Sequence, residues 1–406
     1  MIIAIIGASG AGKSTIINHL KQWKFLKSKR IIVKEEDNFL ILKLLKSIFG
    51  KKLFNEYKQQ KFFNKEPKTL KAKLFSGIVY WFYPAIIYLE FMITHILYST
   101  IWRKRVLISD RYIYDYLVTF EEMLNIHNRA VSFLINKFPK PYLIIYLKVN
   151  QQTSLARNKD NIKGKITANR KLHGRVLNRY NELASQLSIL IVNSDGNKYT
   201  TIREVKEYLY SKEKLTRYKS LAISGVDGSG KTTACENLNK LCLQLSITSK
   251  VVHFYHLPIL YKLLVRLGFI KPNLEKKASS YGTKSFIWAL LTFMDSYIQY
   301  IYARITNLGS LIIYDRYFYD YLVSFKYRKV PFVNLFISLI PRVGSSFVLF
   351  VKPKMVINRK GESIDLGYLK EIQKLYVNLV KQHEITPIKV GSKNQESVLK
   401  ELVEAM

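Results

Sequence analysis

The sequence predicts an α/β fold taken twice, as two tandem units that each form a five-stranded parallel sheet sandwiched by helices. Three observations predict it. Short apolar runs rich in β-branched and aromatic residues alternate with longer helical stretches, a glycine-rich loop follows the first run of each half, and a ten-residue segment recurs as DRYIYDYLVT from Asp110 and DRYFYDYLVS from Asp315. A chain of 406 residues exceeds one average domain and suits two, each large enough to bury its own core. The 48% apolar content, with 28 Tyr and 22 Phe, excludes a disordered basic tail.

In the first unit, placed at residues 1–210, strands are expected at 2–6, 30–34, 106–109, 142–149 and 189–193. In the second, placed at 218–406, they are expected at 220–224, 250–254, 311–314, 347–351 and 387–390. Near-continuous apolar runs of this length are those of strands covered on both faces. Residues 206–220, charged and polar, read as the end of one unit and the link to the next. Two stretches could be long enough to cross a bilayer, 76–102 with Glu90 as its only formal charge and 284–304 with Asp295 as its only acid. Each acid precedes its DRY segment by the same distance, which favours a buried helix that places one acid in a site. The N-terminus is apolar but has no basic first segment, so a signal peptide is not expected.

The sheet locates the chemistry, because ligands of such folds sit beyond the carboxyl ends of the strands. GASGAGKST from Gly7 and GVDGSGKTT from Gly225 both satisfy the phosphate-binding P-loop pattern G-x-x-x-x-G-K-[ST]. Gly7, Gly10 and Gly12, like Gly225, Gly228 and Gly230, let the loop wrap so that its amides face phosphates. Lys13 and Lys231 reach the β and γ oxygens, Ser14 and Thr232 bind Mg²⁺, and Thr15 and Thr233 begin the next helix, whose positive end adds to the site. The expected fold is therefore a pair of P-loop NTPase units that use ATP and Mg²⁺.

Asp110 and Asp315 end the third strands, placed to hold the metal and its water shell, and Arg111 and Arg316 follow with a fork suited to a second phosphate. The tyrosines Tyr114, Tyr116, Tyr319 and Tyr321 either line an acceptor pocket or pack. After the fourth strand come Arg157-Asn-Lys-Asp160 and Arg359-Lys-Gly-Glu362. An arginine there can stabilise a moving phosphoryl group from a mobile lid, a need that phosphoryl transfer imposes because it offers a protein little covalent chemistry.

Both halves resemble the thymidylate kinase family of P-loop nucleoside monophosphate kinases. The second half carries the resemblance best, through GVDGSGKTT with its Asp227, the DRY triplet from Asp315 and Arg359-Lys360. The resemblance implies that Asp227 lies near the acceptor's phosphate and sugar and that Arg359, given Gly228 after the aspartate, is the catalytic arginine. It also implies an intrachain pseudo-dimer, since family members commonly pair. Departures concern the base-reading side. Asp295 is followed by Ser296 where the family has arginine, the first half has Glu90-Phe91 there and Ser9 in place of Asp227, and the acidic, proline-containing motif after the second strand is absent. The expected activity is transfer of the ATP γ-phosphoryl to a nucleoside monophosphate such as dTMP. The departures keep two alternatives open: a sugar or lipid-linked acceptor, or nucleotide binding without turnover on a membrane or nucleic acid.

The formal charge is +36, larger in the first half. It reads either as compositional drift or as a surface for an anionic partner, with a peripheral membrane contact favoured over nucleic acid because no RNA-binding signature is present. Two cysteines, Cys235 and Cys242, without zinc or disulfide spacing fit a reduced, cytoplasmic protein.

Overall fold

The computed structural model describes residues 1–27, 31–34, 70–101, 105–123, 135–157, 170–187, 189–254, 283–360, 365–391 and 393–406, with single positions at 133, 263 and 266–268. The chain divides into two compact units, Met1–Leu209 and Tyr210–Met406.

In the first unit, strand β1 (Ile2–Ile6) leads into helix α1 (Lys13–Gln22), and β2 (Ile31–Lys34) is followed by the long α2 (Leu70–Thr100). Then come β3 (Val106–Asp110), α3 (Ile113–Val118), β4 (Leu143–Lys148), α4 (Gln151–Arg157), α5 (Arg170–Gln186), β5 (Leu190–Asn193) and α6 (Lys198–Leu215). The sheet order is β2-β3-β1-β4-β5, and every pairing is parallel. The five residues of β1, IIAII, are all buried, as a central strand covered on both faces requires.

The second unit repeats the plan. Its elements are β6 (Ser220–Gly225), α7 (Lys231–Gln244), β7 (Ser249–His253), α8 (Thr283–Thr306), β8 (Leu311–Asp315) and α9 (Phe318–Tyr327). They continue with α10 (Val333–Ser338), β9 (Ser345–Phe350), α11 (Pro353–Lys360), α12 (Leu366–Gln382), β10 (Thr386–Lys389) and α13 (Gln395–Ala405). Read from β7, the order is β7-β8-β6-β9-β10, the first sheet with each strand replaced by its counterpart. The register matters for chemistry. Ile5 pairs with Asp110 and Ile223 with Asp315, so each carboxylate emerges beside the strand that feeds the glycine-rich loop.

Aromatic packing fixes the second unit's core. Phe293 of α8 meets Phe318 of α9 at 5.1 Å, Phe254 meets Tyr314 at 5.2 Å, and both contacts are edge-on. Each such pair adds about 0.5–1.5 kcal/mol beyond area burial. Tyr114, Tyr116 and Tyr321 are buried in the cores, as packing requires, and Tyr319 is half-buried. Glu90 and Asp295 are likewise buried on α2 and α8, and no helix of the described residues is long and apolar enough to cross a membrane.

Strand ends differ from the expected bounds by a residue or two. The expected link at 206–220 contains the boundary between the units, and α6 runs through most of it. Ile202, Val205, Leu209 and Leu215 are buried at helical spacing, and the charges between them form the outer face. Lys212 occupies an inward position, where its ammonium donates to the Leu245 carbonyl and burial pushes its pKa down to about 8.

Candidate functional site

Both glycine-rich loops depend on backbone that only glycine adopts readily. Gly7 and Gly225 have φ of 145° and 144°, and a Cβ would come within 2.8 Å of the Leu147 carbonyl oxygen at Gly7 and 2.7 Å of the Leu349 carbonyl oxygen at Gly225. Gly10, Gly12, Gly228 and Gly230 are also left-handed, and Gly12 and Gly230 cap α1 and α7. Inside the loops Lys13 Nζ donates to the Gly7 and Ala8 carbonyls at 2.6 and 3.0 Å. Lys231 Nζ donates to Gly225 and Val226 at 2.7 and 3.0 Å. Each ammonium is buried at a helix N-terminus, an arrangement that suits a polyphosphate. Ser14, Thr15 and Thr232 are exposed at the loop mouth, and Thr233 is half-buried.

At the end of each third strand the chain turns through an arginine in the left-handed region, φ 79° at Arg111 and 70° at Arg316. Such a conformation costs about 1–3 kcal/mol for a non-glycine residue and is typical of functional turns. The Arg111 and Arg316 amides still complete the sheet, donating to the Ile5 and Ile223 carbonyls at 3.1 and 3.0 Å. In the second unit the turn brings Arg316 Nη2 to 2.7 Å from Asp227 Oδ1, while Arg316 Nε is buried without a partner among the described residues. Lys231 Nζ reaches the same Asp227 oxygen at 3.4 Å.

Asp315 is 1% exposed. Its Oδ2 accepts from the Thr232 hydroxyl at 2.7 Å and lies 2.8 Å from His253 Nδ1 at the end of β7, whereas Oδ1 is buried with no partner among the described residues. A hydroxyl, a carboxylate and an orphaned carboxylate oxygen fit a hard divalent cation such as Mg²⁺. In the first unit Asp110 Oδ1 is buried and orphaned in the same way, but among the described residues Ser14 is not hydrogen-bonded to it.

A second aspartate in the repeated segment, overlooked in the sequence, ties the site together. Asp320 Oδ1 accepts from the Gly225 amide at 3.2 Å and the Tyr376 hydroxyl at 2.8 Å, and Oδ2 accepts from the Tyr317 amide at 2.9 Å. Asp115 does the same with Gly7 at 3.2 Å, Tyr180 at 2.7 Å and Tyr112 at 2.8 Å. Burial raises the Asp115 carboxyl above its ordinary value, against the pull of Lys13 and Arg111. Burial also pushes the Tyr180 and Tyr376 hydroxyls well up, so both remain donors. The signal was there in the D-x-x-x-x-D spacing shared by both units. His253 was the other residue missed, and nothing in its sequence setting marks it.

The late arginines reach the loops. Arg359 Nη1, at the end of α11, donates to the Gly228 carbonyl at 3.2 Å; Arg157 Nη1, at the end of α4, donates to the equivalent Gly10 carbonyl at 3.3 Å. Arg157 is held further by the Ser194 carbonyl at 2.9 Å. A cleft of about 540 Å³ in the second unit is lined by Asp227, Lys231, Thr232, Arg316 and Arg359 and extends to Lys393 and Gln395 beyond β10. Lys159, Asp160 and Glu362, and the segments following β2 and β7 from Glu35 and Tyr255, lie outside the described residues.

Residues 5–205 match the thymidylate kinase family model. The match falls on the first unit, although the motifs of the second were read as the closer resemblance. Among solved structures, the thymidylate kinase from Candida albicans is similar, with 17% identity over 46% of this chain and 90% of that chain and a TM-score of 0.37. No curated protein matches by sequence.

Proposed function

We propose, from the premise that the chain is a thymidylate kinase-like P-loop kinase, that its second unit transfers the γ-phosphoryl of ATP to a nucleoside monophosphate, most simply dTMP. One observation carries the reading: Asp227, Lys231, Thr232, Arg316 and Arg359, drawn from the loop, the β8 turn and α11, line a single cleft. An acceptor phosphate already bears the negative charge it needs to attack, so the protein has to position, exclude and neutralise.

Lys231 would exchange its two carbonyl partners for the β and γ oxygens, beside the loop amides and the α7 N-terminus. Thr232 and Asp315 would hold Mg²⁺, which when bound neutralises charge across the β and γ phosphates. Arg316 would exchange Asp227 for the acceptor's phosphate, leaving Asp227 near its sugar. Arg359 is exposed and held by a hydrogen bond to a carbonyl, so it can move onto the transferring group. The acceptor oxygen forms the new P–O bond as the bond to ADP breaks.

The first unit keeps Lys13, Ser14, Asp110 and Arg111 in the same frame but has Ser9 at the Asp227 position. We read the units as copies of one ancestor, with the first binding nucleotide and transferring poorly. Incubation with ATP, Mg²⁺ and a panel of nucleoside monophosphates tests the activity, with products followed by phosphorus NMR. The expected result is ADP and one diphosphate product; no ADP above background with any acceptor overturns it.

A further inference from the structure

Both polar atoms of the Gly225 peptide are held by side chains. The amide donates to Asp320 Oδ1 at 3.2 Å, and the carbonyl oxygen receives two donors, Lys231 Nζ at 2.7 Å and the Tyr376 hydroxyl at 3.2 Å. The same hydroxyl lies 2.8 Å from Asp320 Oδ1. A hydroxyl carries one hydrogen, so Tyr376 faces two acceptors, the carboxylate and the carbonyl, and serves only one of them fully at a time. Tyr376 comes from α12 and is buried, Asp320 comes from the first turn of α9, and Lys231 opens α7, so three helices meet at one peptide.

A polyphosphate seated on the loop amides would draw Lys231 Nζ off the carbonyls of Gly225 and Val226. A buried carbonyl that loses its donor opposes binding by about tenfold in the equilibrium constant. At Gly225 the loss can be made good. Among the described residues Tyr376 is the side-chain donor that remains at that oxygen, and its hydrogen has only to turn from the carboxylate to the carbonyl. Asp320 can spare it, because Oδ1 still accepts from the Gly225 amide and Oδ2 from the Tyr317 amide at 2.9 Å. Burial pushes the Tyr376 hydroxyl well above its ordinary pKa, so the hydrogen stays on the oxygen throughout.

The first unit lacks the second contact. Tyr180 lies 2.7 Å from Asp115 Oδ1 and Lys13 Nζ lies 2.6 Å from the Gly7 carbonyl, but among the described residues the Tyr180 hydroxyl is not hydrogen-bonded to that carbonyl. The shared backbone alone therefore does not produce it.

We propose that Tyr376 is a positioning residue that takes over the Gly225 carbonyl when Lys231 moves onto a nucleotide's phosphate, so that its hydroxyl sets nucleotide affinity without touching the nucleotide. The proposal rests on the reading of the second loop as a nucleotide site. Isothermal titration calorimetry with ADP and Mg²⁺ tests it without turnover, on the full chain carrying Lys13→Ala to weaken the first loop. Tyr376→Phe should weaken ADP binding by about tenfold. In a Lys231→Ala chain the same change should alter affinity by less than about twofold, because the carbonyl then has the same donors before and after binding. A loss of packing would instead weaken binding equally in both backgrounds. If Tyr376→Phe does not fold, Tyr376→3-fluorotyrosine keeps the hydroxyl. Its fluorine resonance should shift at saturating ADP when Lys231 is present, and shift less than about half as far in the Lys231→Ala chain. Equal losses in both backgrounds, no loss in either, or equal fluorine shifts overturn the proposal and leave nucleotide binding standing. An ADP affinity indifferent to Lys231→Ala overturns it together with the reading of the loop.

Discussion

The two glycine-rich loops share a backbone and differ in their charged side chains. In both units an aspartate, buried Asp115 or partly buried Asp320, joins the first loop glycine to the turn after the third strand, and a tyrosine hydroxyl completes the joint. In both, an arginine accepts a left-handed conformation at the same place. Only the second unit adds the Asp227–Arg316 pair and joins Thr232 to Asp315 and His253. The backbone frame common to the two units is therefore separable from the charged contacts that the second unit adds.

Exchanging arginines breaks the comparison most sharply. Arg359→Ala should lower turnover by about 10²–10³-fold, the cost of removing one group that stabilises the transition state. Arg157→Ala should leave turnover within about twofold, because its unit has Ser9 in place of Asp227 and, among the described residues, no hydrogen bond joins Ser14 to Asp110. Steady-state kinetics on both variants reads the contrast directly, and equal losses would show that both lids serve transfer.

His253 sharpens it further. His253→Ala should weaken divalent cation binding by about tenfold, within the range usual for groups that orient a metal's ligands. Electron paramagnetic resonance titration with Mn²⁺ measures this without turnover. An unchanged Mn²⁺ affinity would reduce His253 to a packing residue.

The smallest effect concerns pH. Because burial raises the Asp115 carboxyl in the folded state, folding there favours the protonated form. Stability from this group therefore falls as pH rises from the unfolded value of 3.8 through the raised folded value, and it is recovered on acidification. Asp115→Asn has no such slope. Relative to wild type it should gain stability as pH rises through that window, as measured by urea unfolding at a series of pH values. A constant difference would mean that Asp115 titrates normally.

Much of this was legible in the sequence, and the losses have physical causes. The strands announced themselves because a parallel sheet buried on both faces needs unbroken apolar runs, as in IIAII of β1. The loop glycines were legible because no other residue takes their φ. The α6 helix was not, since its apolar face is interrupted by Lys212, a charge that burial hides only in three dimensions. Asp320 was passed over because a capping aspartate and a structural lock look alike in sequence, and its partner Gly225 lies far away along the chain. His253 reaches Asp315 across neighbouring strands, a pairing that register alone creates.

The second loop is the one proposed to do the transfer, and side-by-side turnover of Lys13→Ala and Lys231→Ala with ATP, Mg²⁺ and dTMP tests this most directly. Lys231→Ala should lose at least about 10²-fold in kcat/KM, the scale of a charge acting on the transition state. Lys13→Ala should retain most of the activity. The reverse pattern, with Lys13→Ala inactive and Lys231→Ala unimpaired, would contradict the account and place catalysis in the first unit.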